Sequence, residues 1–184
     1  MQTYRLVLLT LGAGLACVTA CGPGEDGSTP RPSATTPVAT TSVATTSSAA
    51  PKCGVDLAAP VIRSAIATLP TEPITKAPWS TDPASFQGTF DPCVTLSAVI
   101  ITVQGATGSS PEHVLLFHKG EFVGTATRDS HGFTALDPGR TTDDTVGVTY
   151  KTPGSCNACP DGTITPVQFH WDGKQVQTIG TPPK

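Results

Sequence analysis

VQFHWDGKQVQTI, residues 167–179, alternates apolar and polar side chains on either side of Asp172-Gly173. Val167, Phe169 and Trp171 share one face, and Val176 joins them from the second arm. Gln168, His170, Gln175 and Gln177 share the other. Successive side chains of an extended backbone point to opposite faces, so period-two alternation marks a half-buried strand. Asp-Gly supplies the two residues that best tolerate positive φ, so the stretch predicts a hairpin closed by a two-residue type I′ turn.

Working back along the chain, TVGVTY (145–150) alternates Val146, Val148 and Tyr150 in the same way. HVLLFHKGEFVGTAT (113–127) predicts a second hairpin, turning at Lys119-Gly120. Lys is not ideal at the first turn position, and a longer loop with Gly as a bulge is the alternative. A two-residue turn puts Leu115, Phe117 and Phe122 on one face. Val114, Leu116 and Val123 fall on the other, where His118 lies opposite Glu121. Apolar side chains on both faces mark a hairpin covered on both sides. LSAVIITVQG (96–105) is a further β-branched run. Before it, GVDLAAPVIRSAIATLP (54–70) repeats Val61, Ile62, Ala65, Ile66 and Leu69 at one-face helical spacing. Asp56 is the expected cap, Pro60 fits the first turn and Pro70 is the stop. The expected fold is α+β: an antiparallel meander of about six strands with one N-terminal helix packed on one face.

The folded part is expected to be a single domain over residues 53–184, large enough for a real core. Cys53, Cys93, Cys156 and Cys159 fall inside it and allow three pairings. Pairing Cys53 with Cys93 would tie the helix to the sheet across a long loop, worth up to about 4 kcal/mol. Cys156 and Cys159 lie in SCNACPDG, between strands. A thiol–disulfide exchanger wants its first cysteine at a helix N-terminus, where the thiolate is stabilised. Pro160, Asp161 and Gly162 follow instead, so a local, strained clip is the preferred reading.

Residues 1–20, MQTYRLVLLTLGAGLACVTA, have the layout of a secretory signal. Arg5 is the one charge, and an apolar run follows. That run is about 15 residues, short of the roughly 20 that a membrane-spanning helix needs. Val18-Thr19-Ala20-Cys21 matches a lipobox: an aliphatic residue, two small residues, then the cysteine that takes a diacylglyceryl thioether. Cys17 would need its aliphatic residue at Gly14, so Cys21 is the expected lipidation site and the contact with membrane lipid. Two or three acyl chains hold firmly where one holds weakly. Residues 21–52 carry that cysteine and a tether of Thr, Ser, Pro and Ala with Val38 and Val43 as its only large aliphatics. The tether is expected to be disordered, with ends roughly 30 Å apart as a coil and about 100 Å when stretched. It reads as a spacer or an O-glycosylated stalk.

Removing residues 1–20 takes away Arg5 alone, so 10 basic residues face 14 acidic ones and the net charge is −4. That balance argues against nucleic acid as a partner. There is no G-x-S-x-G, H-E-x-x-H or phosphate-binding glycine loop, and His113, His118, His131 and His170 show no ligand spacing. No catalytic residue, metal or cofactor is assigned. Asp143-Asp144 reads as a turn. Arg128-Asp129-Ser130-His131-Gly132 holds Asp, Ser and His in a row, but a triad is assembled in space from separate segments. His170 and Trp171 can line a binding surface.

The order of CGVDLAAPVIRSAIATLP, Trp79, DPCVTLSAVIITV, SSPEHVLLFHKGEFVGTAT, TTDDTVGVTY and VQFHWDGKQV, behind the lipobox Cys21, resembles the LppP/LprE lipoproteins of actinobacteria. The resemblance spans nearly the whole folded part. It implies a membrane-anchored envelope protein, of a family abundant in mycobacteria and relatives, with no defined biochemical activity and no catalytic residues to carry over. Cys53 and Cys93 match the family's pair; the Cys156–Cys159 clip is not carried by the resemblance. The expected location is the outer face of the cytoplasmic membrane. The expected role is a non-enzymatic binding or interaction module with an envelope partner. The alternatives are a carrier or sensor of a small apolar ligand, and an envelope thiol–disulfide protein using Cys156 and Cys159.

Overall fold

The computed structural model describes residues 51–184; the expected signal segment, the expected lipidation site at Cys21 and the expected tether up to residue 50 lie outside the described residues. The one α-helix among the described residues, α1, runs Pro60–Thr68. Pro60 occupies its first turn, where the missing N–H would have had no acceptor. Leu69 is extended (ψ 143°), as the residue ahead of Pro70 must be. Ala59 takes the N-cap position without a side-chain bond. Asp56, the expected cap, instead accepts from the Ala58 N–H at 2.9 Å, closing the turn before the helix. Pro60 fixes the helix start too far along the chain for Asp56 to reach it.

Among the described residues the strands form two antiparallel sheets of four. The first contains β1 (Gln87–Gly88), β2 (Ser97–Thr102), β3 (Glu112–His118) and β4 (Glu121–Thr125), in that order. The second contains β5 (Thr134–Leu136), β6 (Thr145–Thr152), β7 (Thr163–Trp171) and β8 (Val176–Ile179), again in order. The expected single six-strand meander is therefore corrected. β1 and β5 are too short to show a periodicity, and the chain leaves the first sheet after β4.

The reason for two sheets lies in β2 and β3. Val99, Ile101, Leu115 and Phe117 point to one side, against Ile62, Ala65 and Ile66 of α1 and against Trp79, Phe86 and Phe90. Ala98, Ile100, Val114 and Leu116 point to the other side, against Val146, Val148, Tyr150, Val167 and Phe169. One helix covers only the first of these faces. The second sheet covers the other, giving layers of helix, sheet and sheet. The Leu96 N–H donates to the Asp143 carbonyl at 2.8 Å where the two sheets meet.

Both hairpins form; the first keeps its expected two-residue turn and the second does not. His118 pairs with Glu121 across Lys119 (φ 47°) and Gly120 (φ 82°), so the two-residue turn holds even with Lys at its first position. Leu116 pairs with Gly124 and Phe117 with Phe122, which leaves Val123 as a bulge. Val123 is thereby turned outward and 41% exposed, instead of joining Val114 and Leu116. In the second hairpin Trp171 pairs with Val176, so the connection is four residues, not two. The Asp172 carboxylate accepts from the Lys174 and Gln175 N–H groups (2.8 and 2.9 Å), and this wider turn wins over type I′. The register moves by two residues, an even shift, so every side chain keeps its expected face.

Cys53 is bonded to Cys93 and Cys156 to Cys159, with 40 and 3 residues of separation. Beside the first bridge, the Asp91 carboxylate accepts from the Gly54 and Cys93 N–H groups, and the Asp56 N–H donates to Phe90. The bridge thus clamps the segment before α1 to the loop before β2. Replacing Cys53 and Cys93 by Ser is expected to lower stability by up to about 4 kcal/mol, and the same change at Cys156 and Cys159 by less than half as much, because the second loop is short. Urea unfolding midpoints of the two variants check this ranking.

Candidate functional site

The connection after α1, TEPITKAPW (71–79), is built around one carboxylate. Glu72 is fully buried, with 0% exposure. Its Oε2 accepts from the Ile74 N–H (3.0 Å), the Thr75 N–H and the Thr75 hydroxyl (2.7 Å). Its Oε1 accepts from the Ser130 hydroxyl at 3.2 Å. Burial works against the charged form, but the hydrogen bonds, foremost that of the Thr75 N–H, outweigh it and hold the carboxyl below the usual range. Glu72 therefore fastens its own loop and pins the crossover between the sheets to it.

Trp79 closes the same connection. Its indole N–H donates to the Pro70 carbonyl at 2.9 Å, and its backbone bridges to Val103 beside β2. The indole stands 5.6 Å from the imidazole of His113, on β3. His113 is 7% exposed and its Nδ1 has no hydrogen-bond partner among the described residues. Burial, reinforced by His131 and opposed by Asp129, lowers its pKa to about 4, so the imidazole is neutral near pH 7.

Between these groups lies a cleft of about 300 Å³. Pro70, Pro73, Trp79 and His113 form its walls, and Arg128, Asp129 and Ser130 come from the crossover. That volume is at the lower end of small-molecule sites. Arg128 and Asp129 are exposed, and neither is in an ion pair among the described residues. The cleft offers apolar rings, the face of a neutral imidazole and one charge of each sign.

A second cleft, of about 320 Å³, lies beside Phe133, Tyr150, Lys151 and Asn157. The Lys151 ammonium already donates there to the Asn157 and Cys159 carbonyls, at 3.3 and 3.1 Å. Its cation is engaged, which makes the first cleft the better site.

The residues singled out from the sequence are scattered. His170 and Trp171 are adjacent on β7 and point to opposite faces. The His170 Nδ1 is 3.0 Å from the Thr145 hydroxyl and 3.7 Å from the Asp144 carboxylate. Trp171 stacks on His118, with ring centroids 3.9 Å apart, while the His118 Nδ1–H donates to the Thr95 carbonyl at 2.6 Å. Asp143 and Asp144 form a turn, with Asp144 accepting from the hydroxyls of Thr142 and Thr145. Asp129, Ser130 and His131 do not converge as a triad: Ser130 serves Glu72, and His131 lies edge-on to Tyr150 at 5.2 Å. Cys156 is exposed, in a turn where the Cys159 N–H donates to the Cys156 carbonyl. Sequence reasoning missed Glu72 and left Trp79 and His113 without a role. The available signal was a lone acid between Pro70 and Pro73, in a short connection that ends on a tryptophan.

Residues 88–174 match the family model described as LppP/LprE lipoprotein. The match takes in both sheets up to the β7–β8 turn; His113 and the crossover fall inside it, and Glu72 and Trp79 outside. A Mycobacterium leprae protein whose name carries the words lipoprotein LprE is 39% identical over 127 residues, covering 69% of this chain and 59% of the relative. Proteins with the same words in their names from Mycobacterium bovis and Mycobacterium tuberculosis are 34% identical over 128 residues, with 70% and 59% covered. The match thus spans under two thirds of the length of these curated relatives. No solved structure matches the chain.

The buried imidazole makes a pH prediction. Between pH 6.5 and about 4 the unfolded chain carries a proton on His113 that the folded chain does not. Stability should therefore fall as pH drops through that window. Glu72, with its lowered pKa, contributes above the usual carboxylate range and loses its contribution at still lower pH. His113→Phe should flatten the decline between pH 6.5 and 4.5, read as the urea midpoint against pH. An unchanged slope would contradict the assignment.

Proposed function

We propose that this chain, whose residues 88–174 form an LppP/LprE lipoprotein domain, is a membrane-anchored, non-enzymatic binding module of the cell envelope. In this reading Cys21 carries the lipid, residues 22–52 act as a spacer, and the domain is displayed on the outer face of the cytoplasmic membrane. The observation that carries the binding role is the cleft framed by Pro70, Pro73, Trp79 and His113. Its walls are set before any ligand arrives, since Glu72 and the Trp79 N–H fix the loop by hydrogen bonds. A preformed concave site loses little ordering entropy on binding. The apolar walls also favour the second reading, a carrier or sensor of a small apolar ligand, and the two differ in what occupies the cleft.

The anchor is tested by labelled-palmitate incorporation and membrane fractionation. Cys21→Ser should abolish the label and release the exported protein from membranes, whereas Cys17→Ser should do neither. The binding role is tested by photo-crosslinking on intact cells, with the crosslinker at Thr71 on the cleft or at Ile164 on β7. An envelope component captured from Thr71 and not from Ile164 is expected. Equal or absent capture, together with a bare mass for the protein recovered from envelopes, would overturn the reading.

A further inference from the structure

The charges at the cleft narrow what it takes. Arg128 and Asp129 are neighbours in the chain, line the same cleft and have opposite sign. Neither is neutralised by an ion pair among the described residues. Ser130, the next residue, is fixed to the buried Glu72 carboxylate at 3.2 Å, so the crossover that carries the two charges is held against the loop opposite. Behind them are Pro70, Pro73 and Trp79, which present rings and no charge. A simple anion would meet Asp129, and a simple cation would meet Arg128. An uncharged apolar molecule would leave both charges to be partly desolvated without a partner, which is costly.

Building on the binding reading above, we propose that the cleft binds a compact zwitterion bearing an apolar side group, of the size and chemistry of a free apolar α-amino acid. The carboxylate pairs with the Arg128 guanidinium and the ammonium with Asp129. The side group lies against Pro70, Pro73 and Trp79. The neutral His113 ring adds a flat wall without adding charge. A volume of about 300 Å³ suits a molecule of that size.

The test uses the full chain in detergent with ¹⁵N-labelled tryptophan. The sequence holds two tryptophans, so Trp79 and Trp171 give one indole N–H signal each. L-phenylalanine and L-leucine are the probes, with N-acetyl-L-phenylalanine and L-phenylalaninamide as forms lacking one charge. Both zwitterions should shift the Trp79 signal in a saturable way and leave that of Trp171 in place. Each singly charged form should bind about tenfold more weakly or worse, since each lacks one charge-assisted contact. Arg128→Gln and Asp129→Asn should weaken the zwitterions by a similar factor while Cm in urea stays unchanged. No shift at Trp79 with either zwitterion would overturn the proposal, as would a shift confined to Trp171. Equal binding of the blocked forms would overturn the ligand class alone and leave the binding module standing. Loss of the module itself is read separately, by crosslinking from Thr71.

Discussion

The fold depends on one constraint: the β2–β3 pair is apolar on both faces. A strand pair with Val99, Ile101, Leu115 and Phe117 on one side and Ala98, Ile100, Val114 and Leu116 on the other cannot stand at a surface. Each face has to be removed from water, at roughly 25 cal/mol for every Å² of apolar area. α1 is nine residues long and covers one face together with Trp79, Phe86 and Phe90. Only a second apolar surface of sheet size can cover the other. β6 and β7 supply it, because each is apolar on a single face. The three-layer arrangement is thus the solution of a counting problem in faces, with two on the first sheet, one on the second and one stripe on the helix.

That count was within reach of the sequence. The alternation of Val146, Val148 and Tyr150, and of Val167, Phe169 and Trp171, identifies single-faced strands. Residues 113–127 read as a hairpin covered on both sides. What periodicity does not convey is which strands share a sheet. The boundary falls in residues 126–133, which carry no apolar pattern, and β5 beyond them has three residues. The turns were legible in position and less so in type. Asp172 prefers to accept from two backbone N–H groups over adopting positive φ, and this competition within a single side chain is invisible to a dipeptide rule. Because strand faces repeat every two residues, the error left the buried set intact.

The cleft was hardly legible at all, for a physical reason. Its parts come from three places far apart in the chain: the connection after α1, the start of β3 and the crossover. They meet at one cleft. No local period records such a meeting. Glu72 shows the difficulty best, since an isolated acid in a polar, proline-rich connection reads as solvent-exposed. Its burial becomes tolerable only because four donors, three of them from its own loop, converge on two oxygens.

Those donors also explain why Glu72 belongs to the frame of the site and not to its chemistry. A carboxylate that accepts four hydrogen bonds is held charged and has little capacity left for a proton or a ligand. His113 is the opposite case. It is buried to a similar degree, but among the described residues no donor or acceptor meets its Nδ1, and burial is resolved by leaving the ring neutral. One buried group thus spends its hydrogen-bonding capacity on the fold, and the other keeps it. The two are linked through Ser130 and the crossover on one side and through Pro70 and Trp79 on the other. Rigidity and unspent polarity therefore sit side by side. This pairing distinguishes the cleft from the one beside Lys151, where the polar capacity is consumed by carbonyls of the neighbouring turn.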